Sequence, residues 1–180
     1  MDKYRVLIEQ ESIIMADLHL RVHETYIDRG RNLKAWKKAC SEFCSYSSKI
    51  NPFIIQIFKE SEYNSEELKE FTIAFLELDP MFFRSGYIKE EILRKLKRSK
   101  LNSKQIERLL YVLECAVENK GTREFRRYCR FAQSISNQKF LNYLNNVYKY
   151  GEGKRRSRAE LMLSYIRQSA HDESIQRTSR

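Results

Sequence analysis

The run Arg123-Glu-Phe-Arg-Arg-Tyr-Cys-Arg places four guanidinium groups, Arg123, Arg126, Arg127 and Arg130, at i, i+3, i+4 and i+7. On a helix these positions share one face, and Phe125, Cys129 and Ala132 turn away from it toward a core. Cations packed this closely repel one another unless an anion or an acidic partner lies across them. Glu124 is the only acid between Lys120 and Gln138, so the segment does not neutralise itself. Recognition of something anionic is the chemistry it offers; the competing reading is an ordinary solvated helix face.

Two further basic clusters flank the stripe. Arg94, Lys95, Lys97, Arg98 and Lys100 precede it, and Lys154, Arg155, Arg156 and Arg158 follow. We expect Arg94, Arg98, Arg123, Arg126, Arg127, Arg130, Arg155 and Arg156 to gather on one outward face and to bind a partner there. An acidic protein surface is the leading partner. The alternative is RNA or DNA bound without sequence preference, because Tyr111, Tyr128, Tyr143, Tyr148 and Tyr150 lie nearby and bases stack on aromatic rings. Most of those tyrosines fall at core spacing.

His19 and His23, and Cys40 and Cys44, are each four residues apart. Two imidazoles and two thiolates suit tetrahedral zinc if a hairpin turning near Gly30 brings the pairs together. That hairpin sets position 19 opposite about 42. The plainer reading puts Cys40 on an apolar face beside Trp36 and Phe43, and on balance no metal or other cofactor is expected.

No GxSxG, P-loop, HExxH or glycine-rich phosphate cradle occurs, so the residues give no ground for an enzyme.

The elements that must position these side chains are helices. The chain has 180 residues, 42% apolar and 32% charged, with only 5 Gly and 2 Pro. Apolar steps of three and four at Tyr4, Leu7, Ile8, Met15, Leu18, Val22 and Tyr26 mark a first long helix. A second holds Leu33, Trp36, Ala39, Cys40, Phe43 and Ile50, after a stop in which Gly30 suits a left-handed cap. Asn51-Pro52 reads as a helix start. Asn64-x-x-Glu67, Asn102-x-x-Gln105 and Ser157-x-x-Glu160 read as capping boxes, with Thr122 and Ser136 opening two more helices. Gly151-Glu152-Gly153 reads as a loop.

From residue 65 the helices fall into pairs, 65–99, 102–134 and 136–169, a period in the mid-thirties. The expected fold is therefore all-α: an N-terminal helical hairpin packed on a short, irregular HEAT/armadillo-like stack. It forms one domain over 1–169, with a polar tail over 170–180 that frays.

Charge divides unevenly. Residues 1–90 hold 13 Lys+Arg and 15 Asp+Glu, whereas 91–180 hold 21 and 9, so the whole +10 excess comes from the second half. A near-neutral half joined to a basic half fits an anion-facing surface. No apolar run approaches the roughly 20 residues that span a bilayer, so no membrane is expected. Four cysteines inside helical patterns read as reduced thiols of a cytoplasmic protein.

The stretch Phe75-Leu-Glu-Leu-Asp-Pro-Met-Phe-Phe-Arg-Ser-Gly-Tyr-Ile-Lys, with Leu93-Arg-Lys-Leu-Lys-Arg and the Arg123–Arg130 run, resembles a recurring pattern of uncharacterised bacterial all-helical, HEAT-like proteins. The resemblance implies a helical stack and, by analogy, an interaction protein such as a toxin's immunity partner. Within it, Phe82 and Phe83 are expected to wedge one helical pair onto the next, with Gly86 permitting a tight backbone.

Overall fold

In the computed structural model the described residues are 3–119 and 124–178, with side chains described through Gln168. Among them the protein is all-α, with nine helices and no strand: α1 (Lys3–Ile27), α2 (Leu33–Ser45), α3 (Asn51–Lys59), α4 (Glu66–Leu78), α5 (Ser85–Leu96), α6 (Ser103–Asn119), α7 (Phe125–Ile135), α8 (Gln138–Tyr150) and α9 (Gly153–Thr178). The helices pack as pairs, consistent with a short helical-repeat stack. The backbone of α9 stays helical through Thr178, into the segment read as a frayed tail.

The chain divides into two compact units, where the sequence suggested a single domain. Unit 1 comprises residues 1–61 and 65–91; unit 2 comprises 62–64 and 92–180. The boundary falls inside α5. The short piece 62–64 joins unit 2 because the Tyr63 amide donates to Ser99 Oγ at 2.8 Å, and Tyr63 is fully buried.

In unit 1, α1 and α2 form the expected antiparallel hairpin. Arg21 pairs with Glu42 at 3.1 Å, His19 lies against Phe43, and Tyr26 lies edge-on to Trp36. Position 19 thus sits opposite 43, one residue from the expected register. The turn does not use a left-handed Gly30: the backbone closes through Asp28, whose carbonyl accepts from the amides of Arg31 and Asn32. Asn32 then caps α2 by accepting from the Ala35 amide at 3.0 Å. Such a cap stabilises a helix by about 1 kcal/mol. Helix α1 also packs on α4, whose Leu68, Phe71, Ile73, Ala74, Phe75 and Leu76 are all buried. Tyr4 bridges the two, meeting the Phe71 ring edge-on and donating to Glu67 Oε1 at 2.9 Å.

Several helix starts lie one residue or more from where the spacing put them. Asn102 and Gln105 form the expected reciprocal box at 2.9 and 3.1 Å. Ser65, not Asn64, caps α4, and Asn137, not Ser136, caps α8. Asn51 is already helical, with Ile50 before it and no side-chain cap. Thr122 lies outside the described residues. The largest displacement is at α9, which starts at Gly153 rather than after Ser157; Gly153 takes φ +52°, a left-handed value that suits glycine. Ser157 is interior to the helix and donates back to the Gly153 carbonyl.

In unit 2, α9 packs against α6, α7 and α8, and α6 also packs on α7. Leu109, Leu113, Val117, Tyr128, Cys129, Ala132, Leu144, Ala159 and Met162 fill that core.

Candidate functional site

Helix α7 carries the centre of the basic stripe. Its Phe125, Tyr128, Cys129, Phe131 and Ala132 are buried, which fixes the rotation of the helix. The opposite face therefore looks into solvent, and Arg126 and Arg130 stand on it, both exposed and one turn apart. Among the described residues no acid lies within ion-pair distance of either. Arg127 is half-buried and engaged in other interactions. Arg123 lies outside the described residues.

Burial pushes the Cys129 thiol at the back of this helix up to about 12, and its side chain packs fully inside the core.

The early residues of α9 behave differently from expectation. Because the helix begins at Gly153, Lys154, Arg155 and Arg156 lie in its first turn and Arg158 just beyond it, near amide ends that disfavour positive charge. Two of them find compensation at the other polarity, the C-terminal end of α6. Arg155 Nε lies 2.6 Å from Glu118 Oε2. Arg158 donates to the Val117 and Glu118 carbonyls, capping the orphan acceptors of α6. Tyr143 of α8 donates to the other oxygen of Glu118 at 2.6 Å. Burial alone would raise the Glu118 carboxyl, but the Tyr143 and Arg155 bonds outweigh it and hold the group below its usual value. Arg155 is thus a tie between α9 and α6, its guanidinium already matched by an acid, unlike those of Arg126 and Arg130. Arg156 stays exposed, its guanidinium 5.3 Å from the Tyr148 ring centre.

On α5 and the residues after it, Arg94 and Arg98 are exposed, and Arg94 engages other groups. Lys95 is buried, only 1% exposed, and so leaves the cluster expected to flank the stripe. Helix α6 adds acids: Glu107 and Glu114 line a cleft of about 330 Å³ with Tyr111 and Lys139, a mixed surface rather than a basic one. Of the eight arginines expected to bind a partner, Arg94, Arg98, Arg126, Arg130 and Arg156 are exposed and stand outside the Glu118 tie, with the Arg126–Arg130 pair defined most sharply.

The His/Cys constellation does not assemble. His19 stacks on Phe83 with ring centres 5.7 Å apart, Cys40 is half-buried and Cys44 is exposed. Among the described residues no three His, Cys, Asp or Glu side chains come together as a metal site, so His19, His23, Cys40 and Cys44 form no ligand set. The hairpin expected to join them exists, but its facing positions are occupied by Phe43 and Trp36.

Sequence reasoning missed two left-handed residues, Asp79 at φ 47° and Arg84 at φ 67°. Asp79 ends α4 and Arg84 precedes α5, whereas Gly86, assigned the tight backbone, is helical. Arginine gives no sequence signal for such a conformation. Nor among the described residues is any helix long and apolar enough to cross a membrane. Compared with known proteins, the chain matches no family model, no curated protein and no solved structure.

Proposed function

We propose that this chain is a non-catalytic binding protein whose α7 face docks an acidic protein surface; a toxin held by its immunity protein is the specific pairing of this kind. The carrying observation is the Arg126–Arg130 pair: two exposed guanidinium groups one turn apart, with no internal acid against them among the described residues, on a helix anchored by its other side. Repulsion between them is relieved when a carboxylate-bearing surface lies across both, and Arg forks suit that geometry. Charges of this kind set encounter rate and partner choice more than raw affinity. The reading supplies no reacting group and asks for none.

A second reading, binding of single-stranded nucleic acid, is favoured by one observation. Tyr150 is exposed with Lys149 Nζ 5.0 Å from its ring centre, beside the Arg156–Tyr148 contact, and cation-flanked rings are stacking platforms.

One experiment separates them. The Arg126→Glu/Arg130→Glu double variant is used to pull down partners from native lysate, beside wild type and Arg155→Ala. We expect the charge reversal to abolish capture of an acidic partner and Arg155→Ala to retain it. Unchanged capture by the double variant overturns the reading. In parallel, a fluorescent single-stranded RNA is titrated at near-physiological salt. Micromolar binding that falls steeply with added salt replaces the protein partner with nucleic acid.

A further inference from the structure

Unit 1 holds a groove of about 740 Å³ between α3 and the segment that opens α5, lined by Ile54, Phe58, Phe83, Arg84, Tyr87 and Ile88. Its walls are apolar but not closed: Phe58 is 53% and Tyr87 60% exposed, and Phe83 is also open to solvent. The volume falls within the roughly 300–1,000 Å³ of small-molecule sites.

One cation stands in this wall. The Arg84 guanidinium lies 5.2 Å from the Phe83 ring centre, and among the described residues no carboxylate is within ion-pair distance of it. Arg84 also holds a left-handed backbone, which L side chains rarely adopt and a glycine would take freely. An observed outlier of this sort is a pointer to function. The fold places a charged, forked donor where a glycine would be the easier residue, at the edge of an otherwise apolar groove.

We propose that this groove binds an amphipathic monocarboxylate, an alkyl or arylalkyl acid whose body lies against Phe58, Phe83 and Tyr87 and whose carboxylate pairs with Arg84. Charge complementarity selects the anionic head, because a single cation in an apolar wall is matched by a single anion on an apolar body. An extended peptide fits less well: the lining offers only Arg84 and the Tyr87 hydroxyl as polar side-chain partners, and a buried main chain needs many. The inference is independent of the α7 reading, since every lining residue belongs to unit 1, and its failure leaves that reading untouched.

The test uses the full chain and calorimetric titration with decanoate below its micellar concentration, beside 1-decanol and decylammonium. We expect saturable decanoate binding, at least tenfold tighter than either comparator, with amide NMR shifts confined to Ile54, Phe58 and residues 83–88. Arg84→Gly keeps the backbone conformation without strain and removes the cation. It should weaken decanoate at least tenfold and leave 1-decanol unchanged, whereas Phe58→Ala should weaken both. Decanoate binding no tighter than 1-decanol, equal binding by Arg84→Gly, or no saturable binding up to millimolar concentration overturns the proposal.

Discussion

Arg155 of α9 and Glu118 of α6 form a 2.6 Å ion pair, and Tyr143 of α8 donates to the same carboxylate. Three helices of unit 2 thus meet at one acid. A hydrogen bond to a charged partner contributes about 1.5–3 kcal/mol. We expect Tyr143→Phe to lower unfolding stability by about 1–2 kcal/mol in urea, toward the low end because Tyr143 is only half-buried. Glu118→Gln should remove the attraction to Arg155 without cavity formation, and combining it with Arg155→Ala should cost little more than either alone. A double-mutant cycle reads this coupling, and additive losses would show the pair to be independent.

Glu11 is a buried carboxylate whose Oε2 accepts from Tyr46 Oη at 2.8 Å, Ser48 Oγ at 2.7 Å and the Lys49 amide at 3.1 Å. Burial pushes the group up, but the Ser48, Tyr46 and Lys49 bonds outweigh it and the folded value lies below the usual one. Burial and Glu11 in turn push Tyr46 up to about 12. A depressed folded value means the contribution is fully present above the unfolded carboxyl value of about 4.3 and is lost as pH falls through the folded value. Glu11→Gln should therefore destabilise at pH 7 by about 1–3 kcal/mol and show a shallower loss of stability than wild type below pH 5. Urea midpoints at pH 7, 5, 4 and 3 decide it; parallel curves would refute the linkage.

The four cysteines should separate by reactivity. Cys44 is exposed, Cys40 and Cys115 are half-buried, and Cys129 is fully buried with its thiol raised to about 12. Alkylation followed by peptide mass spectrometry at pH 8 should label Cys44 first. Cys129 should react only as the chain unfolds, so its labelling rate tracks denaturant. Early labelling of Cys129 in native buffer would contradict the packing of α7 on α9.

How much of this was legible from the residues depended on range. Helix pairs, the α1–α2 hairpin and the Asn102–Gln105 box follow from local spacing, because apolar period and capping act within a few residues of one another. That Arg126 and Arg130 share an exposed face of α7 follows from local spacing too, since Phe125 and Cys129 fix the rotation of the helix. Arg155 was misplaced because its neutralising acid lies 37 positions away and because α9 begins at a left-handed Gly153 rather than at a serine cap. Lys95 was misplaced similarly, since a lysine four residues from Ser99 gives no sign of being buried. The His/Cys pairing failed at side-chain scale: the hairpin register was right to one residue, yet aromatic rings fill the space between the two faces.

Asp79 and Lys89 carry the most sharply graded expectation. Asp79 ends α4 at φ 47°, and its carboxylate lies 2.7 Å from Lys89 Nζ on α5. The Lys89 side chain is only 1% exposed, while Asp79 is 42% exposed. Removing the acid leaves an ammonium buried with less compensation, which costs about 3 kcal/mol for a fully buried pair and less here because Asp79 is partly solvated. Backbone strain adds a separate term, since a Cβ in the left-handed region costs about 1 kcal/mol relative to glycine and asparagine tolerates it better than alanine. Asp79→Asn keeps the conformation and one acceptor, so it should lose about 1 kcal/mol. Asp79→Gly relieves strain but loses the partner, and Asp79→Ala suffers both penalties. The expected order of urea midpoints is wild type, Asn, Gly, Ala, and an alanine variant as stable as the glycine one would show that the turn carries no strain. Lys89→Met, which removes the buried charge and keeps the aliphatic bulk, should recover part of the Asp79→Ala loss when the two are combined, because no ammonium then remains to be neutralised.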